Sequence, residues 1–372
     1  MKILMFTHVD KSKNTMSGVL KKMYGQIQAL EKQGFDCFFV YRQDQYLMLE
    51  EIKTKQIIKR VPQSTQDIYY LVNNFTRDIQ PEYIYIRSGL ADHAFVNFLR
   101  KIRLQYQSKI ILEFPTLPYD LEVKGQISSN IDKYWRNKMG KYVDLAVNYN
   151  NYKEVFGIPA ISISNGICIE NIPRSNGKLN NNELNMIAVA ALAIWHGYDR
   201  LIQGMEQYYR NSPEKNVHLH IVGNEQQDGI LSSLEGLIKK HGLTNKVILH
   251  GFKSGNDLNE VFDQCHIGVG SLALHRINLK EGSALKEQEY CARGMPFINA
   301  FKNTIFPEEF KYKLTFSSDE TPISIDRINS FYLSIVQDRD YKEHIRQYAE
   351  SHLIWEKSLE PVIRWMKERV HQ

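Results

Sequence analysis

EGSALKEQEYCARGMPFINA, residues 281–300, sets two carboxylates, Glu281 and Glu289, eight positions apart. Glu281-Gly282-Ser283 has turn composition, and the run from Ala284 to Arg293 holds helix formers with no breaker before Gly294 and Pro296. The reading is a loop that runs into a helix. Glu281 then stands just before the helix, close to its unsatisfied backbone N–H groups, and Glu289 lies more than one turn inside. Helix-start N–H groups attract phosphate. A flanking carboxylate accepts hydrogen bonds from sugar hydroxyls, and one further in can hold a ribose. These are the parts needed to grip a nucleotide diphosphate-sugar.

Outward from this stretch, short apolar runs alternate with helical patterns, which argues for a parallel α/β architecture. Strands are expected at Lys2 to Thr7, Cys37 to Tyr41, Tyr83 to Ile86, Lys109 to Phe114 and Asp144 to Val147. A second series follows at Met186 to Ala191, Val217 to Val222, Val247 to Leu249 and His266 to Val269. Helices fit Gly18 to Lys32, Gly197 to Arg210, Gly229 to His241 and Asp257 to Gln264. Two successive Rossmann-like halves result, parted by the Gly-, Pro- and Asn-rich stretch from Ser164 to Asn182. The last segment, from about Tyr341, is helical in pattern and carries Trp355 and Trp365.

The chain has 372 residues, room for about two domains with sizeable cores. Cys37, Cys168, Cys265 and Cys291 are scattered and form no C-x-x-C pair, so no disulfide framework or zinc site is expected. The first residues meet charge too soon for a signal peptide, and no run approaches a membrane span. The expectation is a cytoplasmic protein. Net charge is +5, but residues 1–175 carry +7 and the rest −2. The basic half, with Lys11, Lys13, Lys21, Lys22 and the cluster Lys53, Lys55, Lys59, Arg60, suits an acidic acceptor or peripheral contact with an anionic membrane at the inner face of the plasma membrane. A solvated face without a partner explains it equally well. No nucleic-acid motif accompanies the charge.

With these residues in view, the chain resembles the retaining GT-B glycosyltransferases, and most closely glycosyltransferase family 4. Glu281 and Glu289 match its E-x7-E signature, and Ala292-Arg293-Gly294-Met295-Pro296-Phe297-Ile298 its A-x-G-x-P ending. Weaker matches are Ser17-Gly18-Val19 in the first loop, Ser164-Asn165-Gly166-Ile167 at the hinge, the strand end before Gly223, and His250-Gly251-Phe252. The resemblance implies a GT-B fold of two Rossmann-like domains facing each other across a cleft. It divides the chain into an acceptor-binding domain of residues 1–165 plus about 350–372 and a nucleotide-sugar-binding domain of residues 166–349. It implies that Gly18, Gly223, Gly251 and Phe252 approach the donor with Ser283, Ala284, Leu285 and Glu289. Glu281 would hold the transferred sugar and Glu289 the ribose.

The sequence departs from the family where an arginine and a lysine commonly neutralise the pyrophosphate. Ala191 and His196 stand there instead. The leaving diphosphate still needs compensating charge; Lys286 and His196 are the expected substitutes, with Arg200 next. In the first half, Glu113, Thr116, Tyr119 and Asp120 crowd a loop after a strand and suggest a sugar-binding corner. His93 or His8 would replace a histidine that the family often has near the scissile bond. The resemblance implies transfer with retention, a UDP-sugar as the commonest donor, and a glycan, lipid-linked or bacterial surface polysaccharide acceptor. No metal or cofactor is expected, since the D-x-D at Asp338-Arg339-Asp340 lies in a late helical stretch. A non-catalytic glycosyltransferase-like partner subunit and a nucleotide-sugar epimerase remain alternatives.

Overall fold

The computed structural model describes residues 1–13, 17–63, 68–87, 89, 91–115, 117, 129–176, 182–213 and 215–368. The chain divides into two compact units, Met1–Gly166 with Trp355–Gln372, and Ile167–Ile354.

In the first unit, β1 (Lys2–Asp10), β2 (Asp36–Gln43), β5 (Tyr83–Arg87), β6 (Lys109–Phe114), β7 (Leu145–Asn148) and β9 (Ile158–Ser162) form a parallel sheet. Their near-continuous apolar runs are those of strands buried on both faces: Ile3, Leu4, Met5 and Phe6 of β1 have no exposed surface. Leu4 and Phe6 join Val40, Ile84, Ile86, Phe95 and Leu112 in one core. The strand order is β4-β3-β2-β1-β5-β6-β7-β9-β8, with β3 (Tyr46–Glu51), β4 (Gln56–Pro62) and β8 (Glu154–Val155) added antiparallel.

The basic cluster at residues 53–60 has a structural place here. It runs from the β3–β4 turn into edge strand β4, where Lys59 pairs with Asp78 and the Arg60 guanidinium lies 3.7 Å from the Tyr46 ring centroid. Charges along an exposed edge discourage pairing with another chain. The Trp355–Ser358 and Glu360–Glu368 helices belong to this unit. Glu356 pairs with Lys32 at 2.7 Å, and the Tyr83 hydroxyl donates to the Met366 carbonyl at 2.5 Å.

The second unit has a six-stranded parallel sheet in the order β12-β11-β10-β13-β15-β17. Its strands are β10 (Glu183–Val189), β11 (Asn216–Val222), β12 (Val247–Leu249), β13 (Ile267–Val269), β15 (Phe297–Asn299) and β17 (Lys313–Thr315). Alternation sends Leu184, Met186 and Ala188 of β10 into one core and Ile187 into another on the opposite face. A separate two-stranded ribbon pairs β14 (Glu281–Gly282) with β16 (Lys302–Asn303).

Candidate donor site and its supporting residues

Residues 281–300 fold as a strand, a short turn and a helix. Glu281 begins β14, and the Leu285–Ala292 helix follows with Ala284 as its cap. The alanine cap has no side-chain oxygen to give to the first helical N–H groups. Glu281 is exposed and, among the described residues, pairs with the exposed Lys302 at 3.8 Å. Glu289 is partly accessible; its Oε1 accepts from Arg293 Nη2 at 3.0 Å. Arg293 is buried, stacks on Phe262 and gives its other nitrogen to Asn259. It therefore aims Glu289, a function that the sequence did not suggest.

Beside this helix start the structure brings Lys286 to His196, 2.9 Å from Nζ to Nδ1. His196 ends a helical turn over Ile194–His196, and Gly197 follows with φ +63°. A Cβ at Gly197 would stand 2.7 Å from that of Ala273, so only glycine lets the segment after β13 pass. That segment is laced to the turn, Leu272 N–H donating to the His196 carbonyl at 2.9 Å. His196 Nε2 lies 3.0 Å from the Ala191 carbonyl, an acceptor only. The proton therefore sits on Nε2, and Nδ1 accepts from Lys286 and from the Ser271 hydroxyl at 3.2 Å. Burial, reinforced by the Lys286 charge, pushes the imidazole down to about 3. Burial likewise pushes Lys286 down to about 7, opposed by the charge of Glu287.

Glu287 and Gln288 are fully buried, although both read as ordinary helix-surface residues. Glu287 Oε2 accepts from Asn299 at 3.1 Å and Asn303 at 2.6 Å. It thereby ties the helix start to β15 and to β16, the strand that pairs with Glu281. Burial pushes its carboxyl up to about 7, against these amide donors and Lys286.

Arg200 has a different place from the one the sequence suggested. It is 1% exposed, and its guanidinium donates to the carbonyls of Leu272, Ser317 (3.0 Å) and Thr321 (2.9 Å) and to Asp319 (3.3 Å). It closes loops from inside. Arg200→Met would leave the buried Leu272 carbonyl, and the part-buried contacts to Ser317 and Thr321, short of a donor, a loss of about 1–3 kcal/mol. The expected result is a lower thermal midpoint with unchanged nucleotide affinity in the folded protein; weaker affinity without loss of stability would return Arg200 to the donor site.

Gly223 ends β11 with φ +140°, and a Cβ there would stand 1.7 Å from the Ala190 carbonyl oxygen. Its N–H donates to the Gly251 carbonyl at 2.8 Å, which joins the ends of β11 and β12. Phe252, next along, is 69% exposed. In the first unit Gly18 is exposed, with open space around it.

The first-unit residues separate. Thr116, Tyr119 and Asp120 lie outside the described residues. Glu113 is fully buried at the end of β6 and accepts from Gln26, Tyr85 and Arg87 at 2.7 Å each, with Lys22 at 3.7 Å. These partners hold its carboxyl below the ordinary value despite burial, which opposes them. It is an internal charge hub and not an open sugar-binding carboxylate. His93 is exposed at the start of the His93–Gln105 helix, its ring 5.1 Å from Trp135. His8 sits 3.2 Å from the Tyr69 hydroxyl. Asp338 is not helical; it anchors a turn by accepting from Tyr312 and pairing with His344 and Lys311. Among the described residues no group of three or more His, Cys, Asp or Glu is placed to hold a metal ion.

Two parallel-sheet units, the second with a glutamate-bearing helix start and glycine-tightened strand ends, define a protein of the GT-B class. Solved structures agree across the whole chain. Anabaena Alr3699/HepE in complex with UDP has a TM-score of 0.64 at 13% identity, covering 99% of this chain and 100% of that one. The catalytic domain of starch synthase IV from Arabidopsis thaliana, bound to ADP and acarbose, has a TM-score of 0.66 at 10% identity, covering 100% and 99%. Residues 169–352, just under half of the chain, match the family model for glycosyl transferases group 1. Mannosylfructose-phosphate synthase of Agrobacterium fabrum is 34% identical over 80 residues, which span 21% of this chain and 18% of that protein.

Proposed function

We propose that the chain is a glycosyltransferase that moves a sugar from a nucleotide diphosphate-sugar to a glycan, lipid-linked or surface polysaccharide acceptor. The observation that carries this reading is the part-buried Lys286–His196 pair at the start of the helix that bears Glu289 and follows Glu281. Lys286 supplies the positive charge that Ala191 lacks. His196, neutral and locked as the Nε2–H tautomer, positions the ammonium. The first N–H groups of the helix add a partial positive charge for the diphosphate. Glu281 accepts from hydroxyls of the transferred sugar, and Glu289, aimed by Arg293, accepts from the ribose.

In this reading the anomeric carbon gains positive charge as the diphosphate leaves. The acceptor oxygen forms its bond on the same face, its proton passes to the departing phosphate oxygen, and configuration is retained. The chain's residues position the reactants and stabilise charge, so the step needs no metal. UDP is the favoured nucleotide, supported by the UDP complex of HepE. No helix among the described residues is long and apolar enough to cross a membrane, and we place the protein in the cytoplasm. The alternative of a non-catalytic partner subunit rests on Ala191, which offers only its carbonyl, to His196.

Calorimetric titration with UDP, GDP and ADP tests both readings. Micromolar binding of one nucleotide, weakened roughly tenfold or more by Glu289→Ala through loss of a charge-assisted hydrogen bond, is expected. Absence of binding by all three would favour the partner subunit.

A further inference from the structure

The cleft at the C-terminal ends of β1 and β5 is left unused by the site above. It encloses about 280 Å³, and its polar lining comes from Thr7, His8, Asp10, Lys13, Arg42 and Arg87. β1 lies between β2 and β5 in the sheet. The chain leaves β1 toward β2 on one side and later returns to β5 on the other. Connections that diverge in this way open a crevice at the strand ends, where ligands of α/β sheets bind.

The charge in this crevice is one-sided. Lys13, Arg42 and Arg87 are set against one carboxylate, Asp10. That carboxylate is already committed: Oδ1 accepts from the Ser12 hydroxyl at 2.7 Å, the Ser12 N–H at 3.1 Å and the Asp44 N–H at 3.2 Å. Arg87 gives one nitrogen to Glu113, which it shares with Lys22. Arg42 has a buried Nε with no hydrogen-bond partner among the described residues. A buried donor left unmet is costly, and a guanidinium is shaped to bind an oxyanion.

We propose that this cleft binds an anionic group, phosphate or carboxylate, carried by the sugar acceptor. The word acceptor rests on the glycosyltransferase reading; the anion site rests on the cleft alone. A neutral glycan would leave the Arg42 Nε unmet, so the site discriminates against it, on the order of tenfold or more.

The test is calorimetric titration of the full chain with inorganic phosphate and with glucose 6-phosphate, alongside UDP. Both anions are expected to bind, to lose at least tenfold in Arg42→Gln, and to be unaffected by Lys286→Ala. UDP affinity should be unchanged in Arg42→Gln. Lys13→Gln, at an exposed position, gives a second reading should Arg42→Gln fold poorly, with a weaker loss in the same direction. Anion binding insensitive to both first-unit changes, or lost only with Lys286→Ala, overturns the site. Binding of phosphate without binding of UDP, GDP or ADP would instead sink the glycosyltransferase reading and leave the anion site standing. Sedimentation with phosphatidylglycerol vesicles, reversed by glucose 6-phosphate, would identify a lipid headgroup as the source of the anion. Anion binding without sedimentation would identify a soluble acceptor.

Discussion

Glu281→Ala is expected to remove nearly all transfer activity while leaving the protein folded. The side chain is 59% exposed, and its pair with Lys302 at 3.8 Å is a surface ion pair, worth about 0–1 kcal/mol. Folding therefore loses little. In the proposed transfer step, the same carboxylate accepts from the migrating sugar and offsets the positive charge on its ring. Loss of one preorganised electrostatic contact costs on the order of 10²–10³ in kcat. Single-turnover kinetics at saturating donor, together with the thermal midpoint, separates the two effects. Wild-type turnover in this variant would remove Glu281 from the mechanism. Glu289→Ala is different in kind, because it is expected to weaken donor binding and it leaves Arg293 without its carboxylate.

The second large effect belongs to Lys286, and it depends on pH. Burial lowers this ammonium from the ordinary lysine range to about 7, so near neutrality the free protein is a mixture of charged and uncharged forms. A bound diphosphate favours the charged form and raises the pKa of the group. Binding then takes up a proton whenever the pH exceeds about 7. Donor affinity should be highest below pH 7 and fall roughly tenfold per unit above it, until the pKa of the complex is reached. Lys286→Met should abolish this slope and hold affinity at the weak, high-pH level. Isothermal titration from pH 6 to 9 reads both; a wild-type affinity that stays flat across the range would show that Lys286 is no phosphate clamp.

The same group has a mark on stability, with its sign set by the direction of the shift. Between about pH 7 and the ordinary lysine value, the unfolded chain holds a proton at this position that the folded one lacks, so this group makes stability rise with pH. Glu287, raised to about 7, acts oppositely. From the ordinary carboxylate value up to about 7 the folded state holds the extra proton, and stability falls as pH rises through that window.

Most strands of the parallel sheets were legible because buried strands announce themselves as near-continuous apolar runs, as in KILMF at residues 2–6 and LNMIAV at residues 184–189, whereas β9, β15 and β17 were not read as strands. β3 and β4 were not, since the basic cluster around Lys53–Arg60 hid an edge strand that only its partner makes regular. The spacing of Glu281 and Glu289 could be read along the chain, because one short local segment holds both, although Glu281, expected in a loop, begins strand β14. Roles set by three-dimensional surroundings could not. Glu113 and Arg200 looked like accessible charges and prove to be internal, each enclosed by groups 26 to 121 residues away. Glu287, Gln288 and Arg293 were missed for the converse reason. Their helix is too polar to reveal a buried face, and nothing local shows that Asn299 and Asn303 will meet Glu287.

The second unit is one continuous segment, Ile167 to Ile354, set into a first unit that supplies chain on both sides of it. Its two ends are neighbours, joined by a parallel bridge between Ile167 and Ile354, with the Ile167 N–H donating to the Leu353 carbonyl at 2.9 Å. A guest domain with adjacent termini can be lifted out, or have its ends fused, without unravelling its own sheet. The second unit is thus a cassette: a different cassette with the same end spacing could be spliced into this host, and the host's strands would need no new path.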